Sequence, residues 1–104
     1  MPGYSSFRAA KADLGSPGPG NVYDHVVEQS QIVRSGFAPE EVNNPFNLNP
    51  CPRDQSAQGQ LLFKHPTLHG GVTVRDWLTG QSFADQYEFG MDTLMYLTNG
   101  SPLP

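Results

Sequence analysis

Glycine and proline break this chain into short pieces. Eleven glycines and ten prolines fall among its 104 residues. They concentrate in Ser16-Pro17-Gly18-Pro19-Gly20, in the Asn- and Pro-rich run 43–52, and in the stretch from His65 to Gly71. Proline fixes φ and lacks an amide donor, and glycine loses the most freedom on ordering. Regular structure must therefore fit between these runs, which predicts long loops and a modest core. Apolar residues make up 37% of the chain, enough for one small domain and not two. Apolar runs such as Leu61-Leu62-Phe63 stay short. A membrane span needs about 20 such residues, so none is expected, and Met1 to Leu14 lacks the apolar centre of a secretory leader.

Between the breaks, the local signals predict an α+β chain. Ser5 or Ser6 caps a short helix that Gly15 ends, with Phe7, Ala10 and Leu14 on one face. Asn21 to Val27 is rich in β-formers and reads as a strand. A helical turn is expected within Glu28 to Gly36 and another at Pro39–Val42, with proline at its first position. A short second strand fits Phe46–Leu48, and a helix follows from Arg53 to Lys64, weakened at Gly59 by about 1 kcal/mol against alanine. Thr73 caps Val74–Leu78. Ser82 caps a last helix from Phe83 to Leu97, whose Phe83, Tyr87, Met91, Leu94 and Met95 recur at helical spacing and read as core. The organisation expected is an N-terminal helix and Gly/Pro loop over 1–20, then a single domain over 21–104.

Charge argues against indiscriminate nucleic-acid binding. Ten acidic residues oppose six basic ones, and the basic residues are scattered. Strong affinity for a phosphate backbone at large is not expected, although a local basic patch is compatible with this balance. The single cysteine, Cys51, excludes an internal disulfide and a cysteine-only zinc site.

The residues best suited to chemistry are Asp24 and His25, side by side at a strand end ahead of an Asn-rich loop and a helix. A histidine can deprotonate water for attack on phosphorus, and a hard divalent ion beside it can neutralise developing charge. Phe7-Arg8 through Leu14 to Asn21, then Tyr23-Asp24-His25-Val26-Val27-Glu28-Gln29, resembles the C-terminal tips of Rhs-type and related bacterial polymorphic toxins. These belong to the HNH/endonuclease VII superfamily. There a His-His-(Ile/Val)-Val-Glu-Gln segment opens a ββα-metal fold. The likeness continues at Asn44 and Asn47, through Thr73-Val74-Arg75-Asp76-Trp77-Leu78-Thr79-Gly80-Gln81-Ser82-Phe83, and at Gln86-Tyr87-Glu88-Phe89-Gly90.

The resemblance implies a small ββα-metal-like core, a short β-hairpin plus helix, with flanking N- and C-terminal helices. It implies a nuclease with His25 as general base and Asn47 as the central asparagine, Asn44 being the weaker candidate. Glu28, in the same segment, joins the catalytic set. Asp24 stands where the family often has histidine and would bind Mg²⁺ or Mn²⁺; zinc is the other cofactor considered. One departure is plain. The family's third ligand is a histidine on the helix after the second strand, and here that register falls near Ser56. Asp54 is the substitute oxygen ligand if the register shifts, and His69, with His65, is the reserve. The same resemblance implies a parent secreted toxin polypeptide and delivery into the cytoplasm of a neighbouring bacterium. It also implies a nucleic-acid substrate, DNA or RNA, and a cognate immunity protein covering the His25 region.

Each candidate has a plainer reading. His25 alone would pass for a half-buried histidine bonded to backbone. Asn43, Asn44, Asn47 and Asn49 would pass for turn formers, Glu28-Gln29 for a polar pair at a loop or helix start, and Trp77 for core. Arg75 suits phosphate, but the neighbouring Asp76 and helix cap favour a structural role. Cys51 lies between two prolines with nothing evident to activate it. Two rival functions stand beside the nuclease. A non-catalytic interaction domain would account for the missing helix histidine and the acidic balance. A zinc deaminase would need His-x-Glu and Pro-Cys-x-x-Cys, whereas this chain has His25-x-x-Glu28 and Asp54 in place of the second cysteine.

Overall fold

Capping by Ser6 starts the first helix. Its hydroxyl accepts the Ala9 amide at 3.0 Å, and α1 (Phe7–Leu14) stops at Gly15, whose φ of 78° suits glycine. A computed structural model describes residues 2–67 and 69–99; Leu68 and the last residues of the expected 21–104 domain lie outside them. Strand β1 (Asn21–His25) pairs antiparallel with β2 (Leu48–Pro52), Asn21 opposite Pro52 and His25 opposite Leu48. Between the strands run α2 (Gln31–Ser35), α3 (Pro39–Val42) and a 3₁₀ turn at Pro45–Asn47. Helix α4 (Arg53–Phe63) leaves β2 directly, and α5 (Val74–Leu78) and α6 (Phe83–Asn99) come after it. The architecture is α+β: one two-stranded hairpin whose second strand runs into α4, with helices on both sides of it in sequence.

Both strands sit differently from the local expectation. β1 ends at His25 rather than Val27, because the Val26 and Val27 amides turn to the Asn47 carbonyl and side chain, each at 2.9 Å. The second strand lies at 48–52, not 46–48, and carries Pro50 and Pro52. The bonds from Val26 to the Asn47 carbonyl and from Arg53 to the Gly20 carbonyl bracket the ladder. Antiparallel alternation then puts the two prolines where amides point outward and no donor is needed.

Residues 2–20 are tied to the rest of the domain. The Tyr23 hydroxyl donates to the Gly15 carbonyl at 3.0 Å, and the Tyr4 amide donates to the Asn43 carbonyl at 3.2 Å. Helix α6 departs from the expected core stripe at two of its five positions, while Phe83, Tyr87 and Leu94 are half-buried as expected of a helix facing the domain. Met91 and Met95 are 38% and 50% exposed, while Gln86, Gly90 and Thr93 are buried. The cause is a close approach. A Cβ on Gly90 would lie 2.3 Å from the Val26 carbonyl oxygen, so only glycine lets α6 settle on that backbone. Gln86 locks the same face, its Nε2 donating to the Leu78 carbonyl at 3.0 Å and the Gln81 carbonyl at 3.1 Å. Polar and small residues thus take the innermost positions of this helix, ahead of the half-buried apolar ones. Among the described residues, no helix is long and apolar enough to cross a membrane.

Candidate active site

The junction of hairpin and α4 gathers Asp24 and His25. Neighbours on a strand point to opposite faces, but β1 ends at His25, and both side chains line one cleft of about 330 Å³ with Glu28, Ser56, Gln60 and Arg75. Asp24 reaches toward α4, where its Oδ1 accepts the buried Ser56 hydroxyl at 3.0 Å. His25 Nε2 meets Asn43 Oδ1 at 3.0 Å. An amide oxygen only accepts, so Nε2 carries the proton and Nδ1 keeps the lone pair. The Phe7 ring of α1 packs edge-on against the imidazole, centroids 4.5 Å apart.

Burial governs both charges. It holds the His25 imidazole below its ordinary pKa; the Asn43 bond opposes this, and the nearby Lys11 charge lowers it further. His25 is therefore neutral at pH 7, the form that can take a proton. Burial pushes the Asp24 carboxyl above the usual range. The Ser56 bond pulls it down and the Glu28 charge raises it again.

The other candidates divide. Glu28 is in the cleft, but Arg75 holds it, with Nε donating to its two oxygens at 2.9 and 3.0 Å and Nη2 completing the fork. Asn47 is fully buried and bonds only backbone. Its Oδ1 accepts the Val27 amide at 2.9 Å, and its Nδ2 donates to the Val27 and Val42 carbonyls at 3.1 and 2.8 Å. It is a staple that holds the 26–47 excursion onto the hairpin. Asp54 is exposed in the first turn of α4, its Oδ1 accepting the Gln55 amide at 3.0 Å. His69 stacks flat on Trp77, centroids 4.7 Å apart, and both line a second cavity of about 390 Å³ with His65 and Phe89. Neither Asp54 nor His69 lines the cleft that holds Asp24 and His25. Cys51 is buried, and burial followed by the Asp24 and Asp54 charges pushes its thiol up, away from thiolate.

The donor set decides which metal fits. Among the described residues, no three or more His, Cys, Asp or Glu side chains converge. Zinc, which takes three or four firm protein ligands, does not fit. Mg²⁺ or Mn²⁺ does, since such ions keep several waters and need one or two carboxylates plus substrate phosphate. Asp24, with Ser56 Oγ beside it, would hold the ion.

Sequence reasoning missed Asn43 as the partner of His25, Phe7 as its packing surface, and Arg75 as a cleft residue. Asn43 had no local signal, since asparagines crowd that loop. Arg75 had one, a cation inside a resembling segment, but its carboxylate partner is distant in sequence. No known family profile, characterised protein or solved structure matches the chain.

Proposed function

We propose that this domain hydrolyses phosphodiester bonds in nucleic acid with a hard divalent ion, as the toxin tip of a larger secreted bacterial polypeptide. What carries the reading is the pairing at the hairpin–helix junction: a neutral, oriented imidazole beside a carboxylate, both open to one cleft. His25, held through Nε2, accepts a proton from water at Nδ1. Asn43 keeps the ring from turning, and Phe7 limits water on one of its sides. Asp24 would hold Mg²⁺ or Mn²⁺, which supplies charge neutralisation at the phosphate. On this reading the domain acts in the cytoplasm of a target cell, and a cognate immunity protein covers the cleft in the producer.

A cleavage assay tests it. Plasmid DNA and total RNA are incubated with the protein and Mg²⁺, Mn²⁺ or EDTA, beside His25→Ala. Cleavage is expected with metal and should drop by about 10²–10⁴-fold in the variant, the usual contribution of a general base. Ser56 already satisfies one oxygen of Asp24, which favours a second reading, a non-catalytic interaction domain. Folded protein that cuts neither substrate with any metal would overturn the nuclease reading and favour this one, which a pull-down for its partner then tests.

A further inference from the structure

Glu28 and Arg75 form a half-buried ion pair inside the cleft, with side chains 14% and 23% exposed. The pairing is long-range, joining the residues after β1 to α5. A purely structural fork would serve equally well on any face, yet this one lines the same cleft as Asp24 and His25. Its guanidinium still has Nη1 without a protein partner among the described contacts. Arginine binds carboxylate and phosphate through the same planar fork.

We propose that Glu28–Arg75 is an exchange pair: a substrate phosphodiester takes the Arg75 fork, and the released Glu28 joins Asp24 as a second carboxylate for the divalent ion. The inference rests on the nuclease reading and adds how substrate and metal depend on each other. Charge balance supports it. The Asp24 and Glu28 carboxylates and the Arg75 guanidinium, which line the cleft together, leave one net negative charge among them. A diester alone makes that worse by one, and a dication alone overshoots to positive. Together they bring the cleft to neutrality. For Arg75 the swap trades one singly charged oxygen acid for another, so little is lost at the guanidinium. Glu28, freed beside Asp24, would repel it, which is the condition a dication relieves. Phosphate and metal therefore bind with positive coupling, and Arg75 keeps the two-carboxylate site closed until substrate arrives.

Mn²⁺ titration followed by electron paramagnetic resonance tests this without reference to cleavage. Dimethyl phosphate, a bare singly charged diester, serves as the substrate probe. For the unaltered protein, the diester should tighten Mn²⁺ binding by about fivefold or more, the ordinary size of coupling between sites. Arg75→Gln frees Glu28 outright and should tighten Mn²⁺ binding by a similar factor with no diester present. Adding Glu28→Gln to it should abolish that gain. Arg75→Lys, which keeps the charge and loses the fork, should fall between, and it stands in if Arg75→Gln fails to fold by circular dichroism. Equal or weaker Mn²⁺ binding in folded Arg75→Gln or Arg75→Lys overturns the proposal, as does Mn²⁺ binding that Asp24→Asn leaves untouched. Mn²⁺ behaviour as expected without nucleic-acid cleavage would sink the nuclease reading and keep the exchange pair. Cleavage without the Arg75 effect would do the reverse.

Discussion

Replacing Asn47 by alanine should unfold much of what holds the site together, although Asn47 does not line the cleft. Its amide satisfies three backbone groups: the Val27 amide at 2.9 Å, the Val27 carbonyl at 3.1 Å and the Val42 carbonyl at 2.8 Å. Val27 and Val42 are 1% and 0% exposed, so water cannot replace the lost partners without opening the structure. Each buried orphan costs about 1–3 kcal/mol. Partial relaxation brings the total to about 3–5 kcal/mol. A domain of this size is stable by about 5–15 kcal/mol, so the loss is a large share of the whole. With a urea slope of about 1–1.5 kcal/mol per molar, the unfolding midpoint should fall by about 2–5 M. Asn47→Asp should fare no better, since it keeps an acceptor for the Val27 amide but turns a carboxylate oxygen toward two carbonyls. The assay is urea unfolding by circular dichroism, with amide exchange at Val27 as the local readout. A midpoint within about 0.5 M of the unaltered protein, with cleavage alone lost, would refute the staple and return Asn47 to the reacting group.

Four further outcomes rest on the same geometry. Gly90→Ala drives a methyl to 2.3 Å from the Val26 carbonyl oxygen, so it should cost about 2–3 kcal/mol by overpacking; thermal unfolding checks this, and a neutral result would mean α6 does not rest on that backbone. The rate should fall with acid along a limb centred below 6.5, because burial lowers the His25 pKa and the base must be neutral. The same shift makes native stability fall as pH drops below 6.5, where the unfolded chain takes the proton first, down to the folded-state value; a limb above 6.5 would remove His25 as the base. Ser56→His should tighten Mn²⁺ binding in calorimetry, because position 56 faces the Asp24 carboxylate at 3.0 Å, and unchanged affinity would show that the helix does not present that position to the metal.

Much of the local grammar was legible in the residues alone. Ser6, Thr73 and Ser82 cap where their spacing predicts, each accepting an amide three residues on. The α+β class and the helix from Arg53 were readable too. These depend on neighbours within a few positions. What tertiary structure decided lies between distant residues. Met91 and Met95 have core spacing, yet the approach of Gly90 to Val26 turns them outward. Asp54 and His69 are sound ligands by residue type, yet one faces solvent and the other stacks on Trp77. Asn43 and Arg75 carry no local mark of their partners, because His25 and Glu28 are reached only when the 26–47 excursion and α5 fold back over the hairpin. Sequence by itself determined which residues could act. The packing of α1 on the hairpin and of α5 and α6 on α4 decided which of them meet, because hydrogen bonds and ion pairs form only between groups that the fold brings within a few ångströms.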